Sequence, residues 1–254
     1  ASASLARGSV LAAQEKLPGA RAELDAARAA AGDRYADDYA YDLGTLEAAL
    51  SVATKDHEAA EALLTGVLER LSTKGPEWDG ERYDTQLRLA FAHVARDEVA
   101  QAVARIEAAR AIALDHDDVP DAAQCVLSLA PMMQVSGRID EALKLLETSI
   151  DACAAAPDSP APLEMALWSL RMRLSETRGD VAGALTAGFR AIERCGQVGS
   201  VDDYLGIVTH MAALYQRNGS LVDAYHMLDM AHRGLSSRGD AAPRQAQDLH
   251  RDAD

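Results

Sequence analysis

The stretch from Gly137 to Leu146, GRIDEALKLL, decides the fold. A glycine able to end one helix stands five residues before Ala142. Ala142, Leu146 and Ser149 then fall at i, i+4 and i+7, which is one face of an α-helix. The same arrangement recurs on both sides of it. Ala20, Ala60, Ala102, Ala142, Ala184 and Ala224 follow one another at intervals of 40, 42, 40, 42 and 40 residues. Four positions after these anchors stand Leu24, Leu64, Ile106, Leu146, Gly188 and Leu228. Seven after them stand Ala27, Val67, Ala109, Ser149, Ala191 and Ala231. Self-similarity at a fixed period of this size is the signature of a repeat array, in which each unit buries its apolar face only against its neighbours.

Each anchor is preceded by a turn and a further helix-period segment. Gly137, Gly179 and Gly219 occupy equivalent places, and Lys55 and Asp97 take that place in the second and third units. Glycine there permits the positive φ that closes a helix. Twelve residues before the anchors stand Gly8, Ala48, Ala90, Ala130, Met172 and Ala212. A small side chain at that point lets two helices of a hairpin approach closely. The pattern predicts twelve helices near 2–15, 18–31, 34–54, 57–72, 80–95, 98–114, 119–136, 139–155, 161–178, 181–195, 201–217 and 221–236. Between them lie Pro/Gly/Asp-rich linkers around Pro76, Pro120, Pro157–Pro162 and Gly196–Gly199.

Composition agrees. Aromatic residues make up only 4% of the 254-residue chain, and its apolar mass is mostly Ala, Leu and Val, which argues against a β-sandwich. The net charge of −15 comes without a basic stripe, which argues against nucleic acid as a direct ligand. No apolar run reaches the ~20 residues of a membrane helix. Cys125, Cys153 and Cys195 are odd in number and form no CxxC pair, so buried thiols in a reducing, cytoplasmic compartment are expected. The chain starts without Met, as a processed protein or a segment of a longer one would.

These residues resemble the tetratricopeptide repeat, with its small residue in helix A, its Gly-containing turn and its Ala–x3–large–x2–Ala helix B. The closest units are Gly137–Leu146 and Met211–Ala224. The 40–42-residue period is similar to the longer-repeat branch found in kinesin light chains and MalT-like bacterial regulators. The resemblance implies an all-α, right-handed α-solenoid of about six helical hairpins over residues 1–235. Residues 236–254 would form a polar C-terminal cap or tail, with 241–252 either a short capping helix, which the need for a polar end-cap favours, or disordered. Three departures stand out: the long period, the exchange of small and large residues at Met172 and Gly188, and Pro131 inside a predicted helix, where a kink is expected.

The motifs that suggest chemistry have simpler structural roles. Asp117, Asp118 and Asp121 have DDxxD spacing, but Pro120 interrupts them, and helix capping before Val119 is the expected role. No histidine pair has zinc-protease spacing. The Arg-Gly-Asp tripeptides at 178–180 and 238–240 fall at turns or helix ends. No nucleophile elbow or phosphate loop is present. The expectation is therefore a chain without catalytic residues, metal or cofactor.

In the resembled family helix A lines the concave face. Carried over, its exposed positions give Asp42, Thr45, Leu46, Ala49 and Val52, extending upstream through Tyr35, Asp38 and Tyr39, then Asp84, Leu87, Arg88 and Phe91. Further along come Gln124, Leu127, Ser128 and Gln134, then Ser169, Leu170, Arg173 and Glu176, and lastly Thr209, His210, Ala213, Gln216 and Arg217. The expected peptide-binding set is Tyr35, Asp38, Tyr39, Asp42, Thr45, Arg88, Phe91, Gln134, Arg173, Thr209, His210 and Arg217. Packing of Tyr35 and Tyr39 against the first unit's helix B is the alternative for those two. The resemblance implies a non-catalytic protein-interaction module whose partner is a peptide or helix. The charge gradient along the stripe points to a basic or hydroxyl-bearing end of the ligand near Tyr35, Asp38, Tyr39 and Asp42 and an acidic or carboxylate end near Arg173, His210 and Arg217. The chain itself would be a monomer or weak homo-oligomer. A ligand-sensing segment of a larger MalT-like regulator is the second reading, and an all-α metal-dependent enzyme the third.

Overall fold

The structure, a computed structural model, describes residues 2–14, 16–32, 39–198 and 200–239, with side chains as far as Arg233. Among the described residues there are twelve α-helices and no strand. They are α1 (Ser2–Ala13), α2 (Leu17–Ala31), α3 (Ala40–Ala53), α4 (His57–Ser72), α5 (Asp79–Ala95), α6 (Val99–Asp115), α7 (Val119–Val135), α8 (Ile139–Ala155), α9 (Ala161–Arg178), α10 (Val181–Val198), α11 (Val201–Arg217) and α12 (Leu221–Gly239). A short 3₁₀ turn, Pro76–Trp78, precedes α5 and was not anticipated. The described part of α3 begins at Ala40 rather than at 34, and α12 runs past 236 to Gly239. Residues 240–254, with the proposed capping helix, lie outside the described residues, as do Tyr35 and Asp38.

The chain forms two compact units, Ala1–Met132 and Met133–Asp254. Their division falls in α7 just after Pro131, where the helix continues although proline offers no N–H to the carbonyl of Leu127. In the first unit α1 pairs with α2, α3 with α4 and α5 with α6; α2 packs on α3 and α4 on α5. The odd-numbered helices also touch, α1 against α3 and α3 against α5, and form one layer. In the second unit α9 pairs with α10 and α11 with α12, while α8 packs on α9 and α10 on α11.

The repeat register is the packing register. All six alanine anchors are buried, five of them completely, and so are all six residues twelve positions earlier. The turns are equally regular. Gly137, Gly179 and Gly219 have φ of +75°, +84° and +82°, and Lys55 and Asp97 adopt the same left-handed conformation at +62° and +63°. At each, the next residue's N–H reaches back to a carbonyl five residues earlier, as from Asp56 to Ser51 (2.8 Å) and from Ser220 to Tyr215 (2.9 Å). This satisfies carbonyls that the ending helix leaves open.

Other local expectations find physical reasons here. The Asp118 carboxylate accepts from the Asp121 N–H at 3.0 Å, which is helix capping rather than metal geometry. In the first Arg-Gly-Asp, Arg178 pairs with Asp180 at 2.8 Å, and Asp180 accepts from the Gly183 N–H at 2.9 Å. The second tripeptide ends at Asp240, outside the described residues. Arg82 was not singled out from sequence. Its guanidinium donates to the carbonyls of Leu71, Lys74 and Gly75 and pairs with Asp79, closing the end of α4. Met172 and Gly188 prove complementary. A Cβ on Gly188 would lie 2.9 Å from the Met172 sulfur and 2.6 Å from that of Met211, so the thioethers fill the space that a large residue fills elsewhere.

Candidate binding groove

In the first unit a cleft of about 370 Å³ opens between α3 and α5. Its walls are Thr45, Ala48, Ala49 and Val52 from α3, Leu87, Arg88 and Phe91 from α5, and Leu64 from α4 beneath. Small residues at 48 and 49 keep the wall shallow. Phe91 stands 60% exposed, which for a phenylalanine leaves considerable apolar area in water. Thr45, by contrast, is buried, and its hydroxyl donates back to the carbonyls of Tyr41 (2.8 Å) and Asp42 (3.2 Å). It lines the cleft floor without offering a free donor. Leu46, one position on, belongs to the core beside Leu5 and Leu24 and does not face the groove.

The cleft has a polar rim. The Tyr41 hydroxyl donates to Asp84 at 2.7 Å, and Arg88 donates to the same carboxylate oxygen at 2.5 Å. Burial and the Asp84 charge push the Tyr41 phenol well above its ordinary value, so it stays a donor. Burial works against the Arg88 charge, but Asp84 outweighs it and raises that pKa further. Asp42 at the start of α3 reaches water, but the neighbouring protein partly desolvates its carboxylate and Glu81 repels it, and both raise its pKa. Tyr39 stands at the N-cap position of α3 without a side-chain cap bond and packs half-buried on the cluster of Leu5, Ala20 and Leu24, the core alternative expected for it. Tyr41 was not picked out from sequence, although it lies one turn before Thr45 on the same stripe.

In the second unit Glu176 on α9 gathers two of the expected site residues. His210 Nε2 lies 2.6 Å from one of its oxygens, and Arg217 pairs with the other. Gln134 donates to the Thr177 hydroxyl at 3.1 Å. The Thr209 hydroxyl is turned back on the carbonyl of Leu205 at 2.7 Å. Arg173 is exposed, and its guanidinium has no ion pair among the described residues.

Glu61, His93 and Glu98 are the described residues whose ligand atoms come together as a metal site requires. His93 is buried, with Nδ1 2.8 Å from Glu98 and Nε2 4.0 Å from Glu61. Arg96, however, pairs with both carboxylates. It supplies the positive charge a cation would otherwise bring, so the group acts as an ion-pair lock between α4 and the α5–α6 turn. The three cysteines are buried, and burial raises each thiol pKa, the opposite of what a reactive thiolate needs.

No family pattern and no curated protein sequence matches the chain. Its fold is similar to several solved structures. A kinesin-light-chain-type protein of Podosopora anserina with nearly identical TPR-like repeats matches at a TM-score of 0.60 and 22% identity, over 77% of this chain and 94% of its own. The apo form of RapI matches at 0.70 and 8% identity, over 93% and 76%. The apo quorum sensor NprR of B. thuringiensis matches at 0.65 and 15%, over 91% and 63%, and has also been solved with its cognate peptide NprX. At these identities the likeness establishes the fold: an all-α solenoid type built of TPR-like hairpins.

Proposed function

We propose that the chain is a non-catalytic interaction module whose first unit holds a peptide or helical segment of a protein partner in the α3–α5 cleft. The observation that carries this reading is the cleft itself. An exposed aromatic and an aliphatic wall flank a cavity of about 370 Å³ beneath a charged rim. Aromatic and arginine side chains around a desolvated pocket are what interfaces use as anchors. The fitting ligand has a bulky apolar side chain for the space between Val52, Leu87 and Phe91, and a basic group for Asp42 and Glu81. In the second unit Arg173 is the cation offered to an acidic group, because Glu176 already occupies His210 and Arg217. The fold-level likeness to NprR, solved with a peptide, supports a peptide as ligand and favours one second reading: a ligand-sensing segment of a larger regulator.

The test is selection of a displayed library of random dodecapeptides on the whole chain, followed by binding kinetics at two ionic strengths. Enriched peptides should pair an aliphatic or aromatic residue with Lys or Arg. Asp42→Asn should slow association and weaken its salt dependence. Phe91→Ser should raise the dissociation rate about 30-fold, the equivalent of ~2 kcal/mol. Peptides that bind both variants like the wild type, yet lose binding when Glu69 and Glu107 on α4 and α6 are replaced by Lys, would place the site on the other helix layer.

A further inference from the structure

Helix α12 carries two apolar faces, and its hairpin uses one of them. Ala224, Met227 and Ala231 are buried on the α11 side. Leu221, Val222, Tyr225 and Leu228 form a second stripe about 120° wide at 100° per residue. All four are more than half exposed, Tyr225 at 69% and Leu228 at 51%. The repeat register shows what such a stripe is built for. Leu228 is equivalent to Ile106 and Leu146, and Tyr225 to Val103 and Leu143; all four counterparts are buried. The sequence of α12 is thus that of an inner helix, whose second face a further helix covers.

We propose that this face is a homodimer interface, on which a second copy of the chain lays its own α12 antiparallel. A helix is the shape the register calls for, and the face suits a copy of itself. It is apolar as far as Leu228; Asp229 and His232 fall inside the stripe on the next turn, where Asp229 is neutralised by Arg233 at 2.5 Å. The face therefore offers no local charge to select a basic partner over a like one. A two-fold axis crossing between Tyr225 and Leu228 sets each tyrosine against Leu228 of the second copy. Four side chains at these exposures remove roughly 400–500 Å² per copy, close to 1,000 Å² in total and at the low end of specific interfaces. The dimer is accordingly weak. Each copy carries a net charge of −15, and salt screens that repulsion without weakening apolar contact. Association should therefore tighten with salt. This inference is independent of the groove.

The test is sedimentation equilibrium of the full chain from about 5 to 500 µM, in about 50 and 500 mM NaCl. A reversible dimer with a Kd of about 10–100 µM is expected, several-fold tighter at the higher salt. Leu228→Glu, at an exposed position, should give a monomer with an unchanged circular dichroism spectrum. A mixture of Tyr225→Cys and Leu228→Cys chains should form disulfide-linked pairs on oxidation faster than either variant alone, since the native thiols are buried. A monomer at 500 µM in both salts overturns the proposal, whether the face stays bare or residues 240–254 cover it. A dimer indifferent to Leu228→Glu, or cross-linking no faster in the mixture, overturns it as well.

Discussion

The exchange of sizes at Met172 and Gly188 yields the sharpest stability prediction. Met172 is 3% exposed on α9 at a place where every other unit has Gly or Ala. Gly188 on α10 stands where Leu or Ile is usual. Met172→Ala alone leaves a cavity and should cost about 2–4 kcal/mol. Gly188→Leu alone gains about 0.8 kcal/mol of helix propensity. Its first added carbon, however, falls 2.9 Å from the Met172 sulfur and 2.6 Å from that of Met211. Overpacking of about 2–3 kcal/mol should prevail, for a net loss of about 1–2 kcal/mol. Independent effects would sum to about 3–6 kcal/mol. The double substitution restores the usual small–large order, so it should cost only about 1 kcal/mol, a favourable coupling of at least ~2 kcal/mol. The residue of the cost comes from Met211, which still crowds the new side chain. Urea unfolding followed by circular dichroism at 222 nm measures all four corners of the cycle. Losses that add within about 0.5 kcal/mol would show that the two positions do not compensate each other.

Four further outcomes are expected. Ala142→Asp should destabilise by several kcal/mol, and Ala224→Asp by less, because the first anchor is fully buried while the second is 7% exposed; thermal melts rank them. Lys55→Gly and Asp97→Gly should each stabilise by about 0.5–1 kcal/mol, since φ near +60° strains a side-chain-bearing residue; urea midpoints check this. Asp42→Asn should raise stability at pH 7. The raised pKa of Asp42 means that its charged form is disfavoured in the fold, a cost present above that pKa and absent once the carboxyl is protonated, so the gain should vanish near pH 3. Asp79 runs the other way. His116 and Arg82 hold its pKa down, so its contribution is complete above the ordinary carboxylate range and is lost as pH falls through the lowered value; Asp79→Asn should flatten the acid limb of the stability curve.

Much of this architecture is legible in the sequence, because a repeat states its packing rule six times. The anchors, the small positions and the left-handed turns at Lys55 and Asp97 all follow from alignment with the glycines of later units. What escapes is lateral. Tyr41 reaches Asp84 and Gln134 reaches Thr177 across 43 residues, about one repeat period, so these pairs join the same helix layer of neighbouring hairpins. A reading confined to i, i+3 and i+4 contacts within one helix misses them, and misses that Glu176 claims His210 and Arg217. Among the expected groove positions, Thr45 and Leu46 are buried. They turn inward because α1, α2 and α4, as well as α5, pack on α3. The 3₁₀ turn at Pro76–Trp78 and the Arg82 clamp depend on carbonyls that are open only once α4 has ended.

The α3–α5 groove is tested most directly by hydrogen–deuterium exchange of the chain with and without a peptide enriched from the dodecapeptide library. Bound peptide should slow exchange in residues 42–52 and 81–91, and the protection should disappear in Phe91→Ser. Protection confined to α4 and α6, or unchanged in Phe91→Ser, would contradict the assignment of the groove.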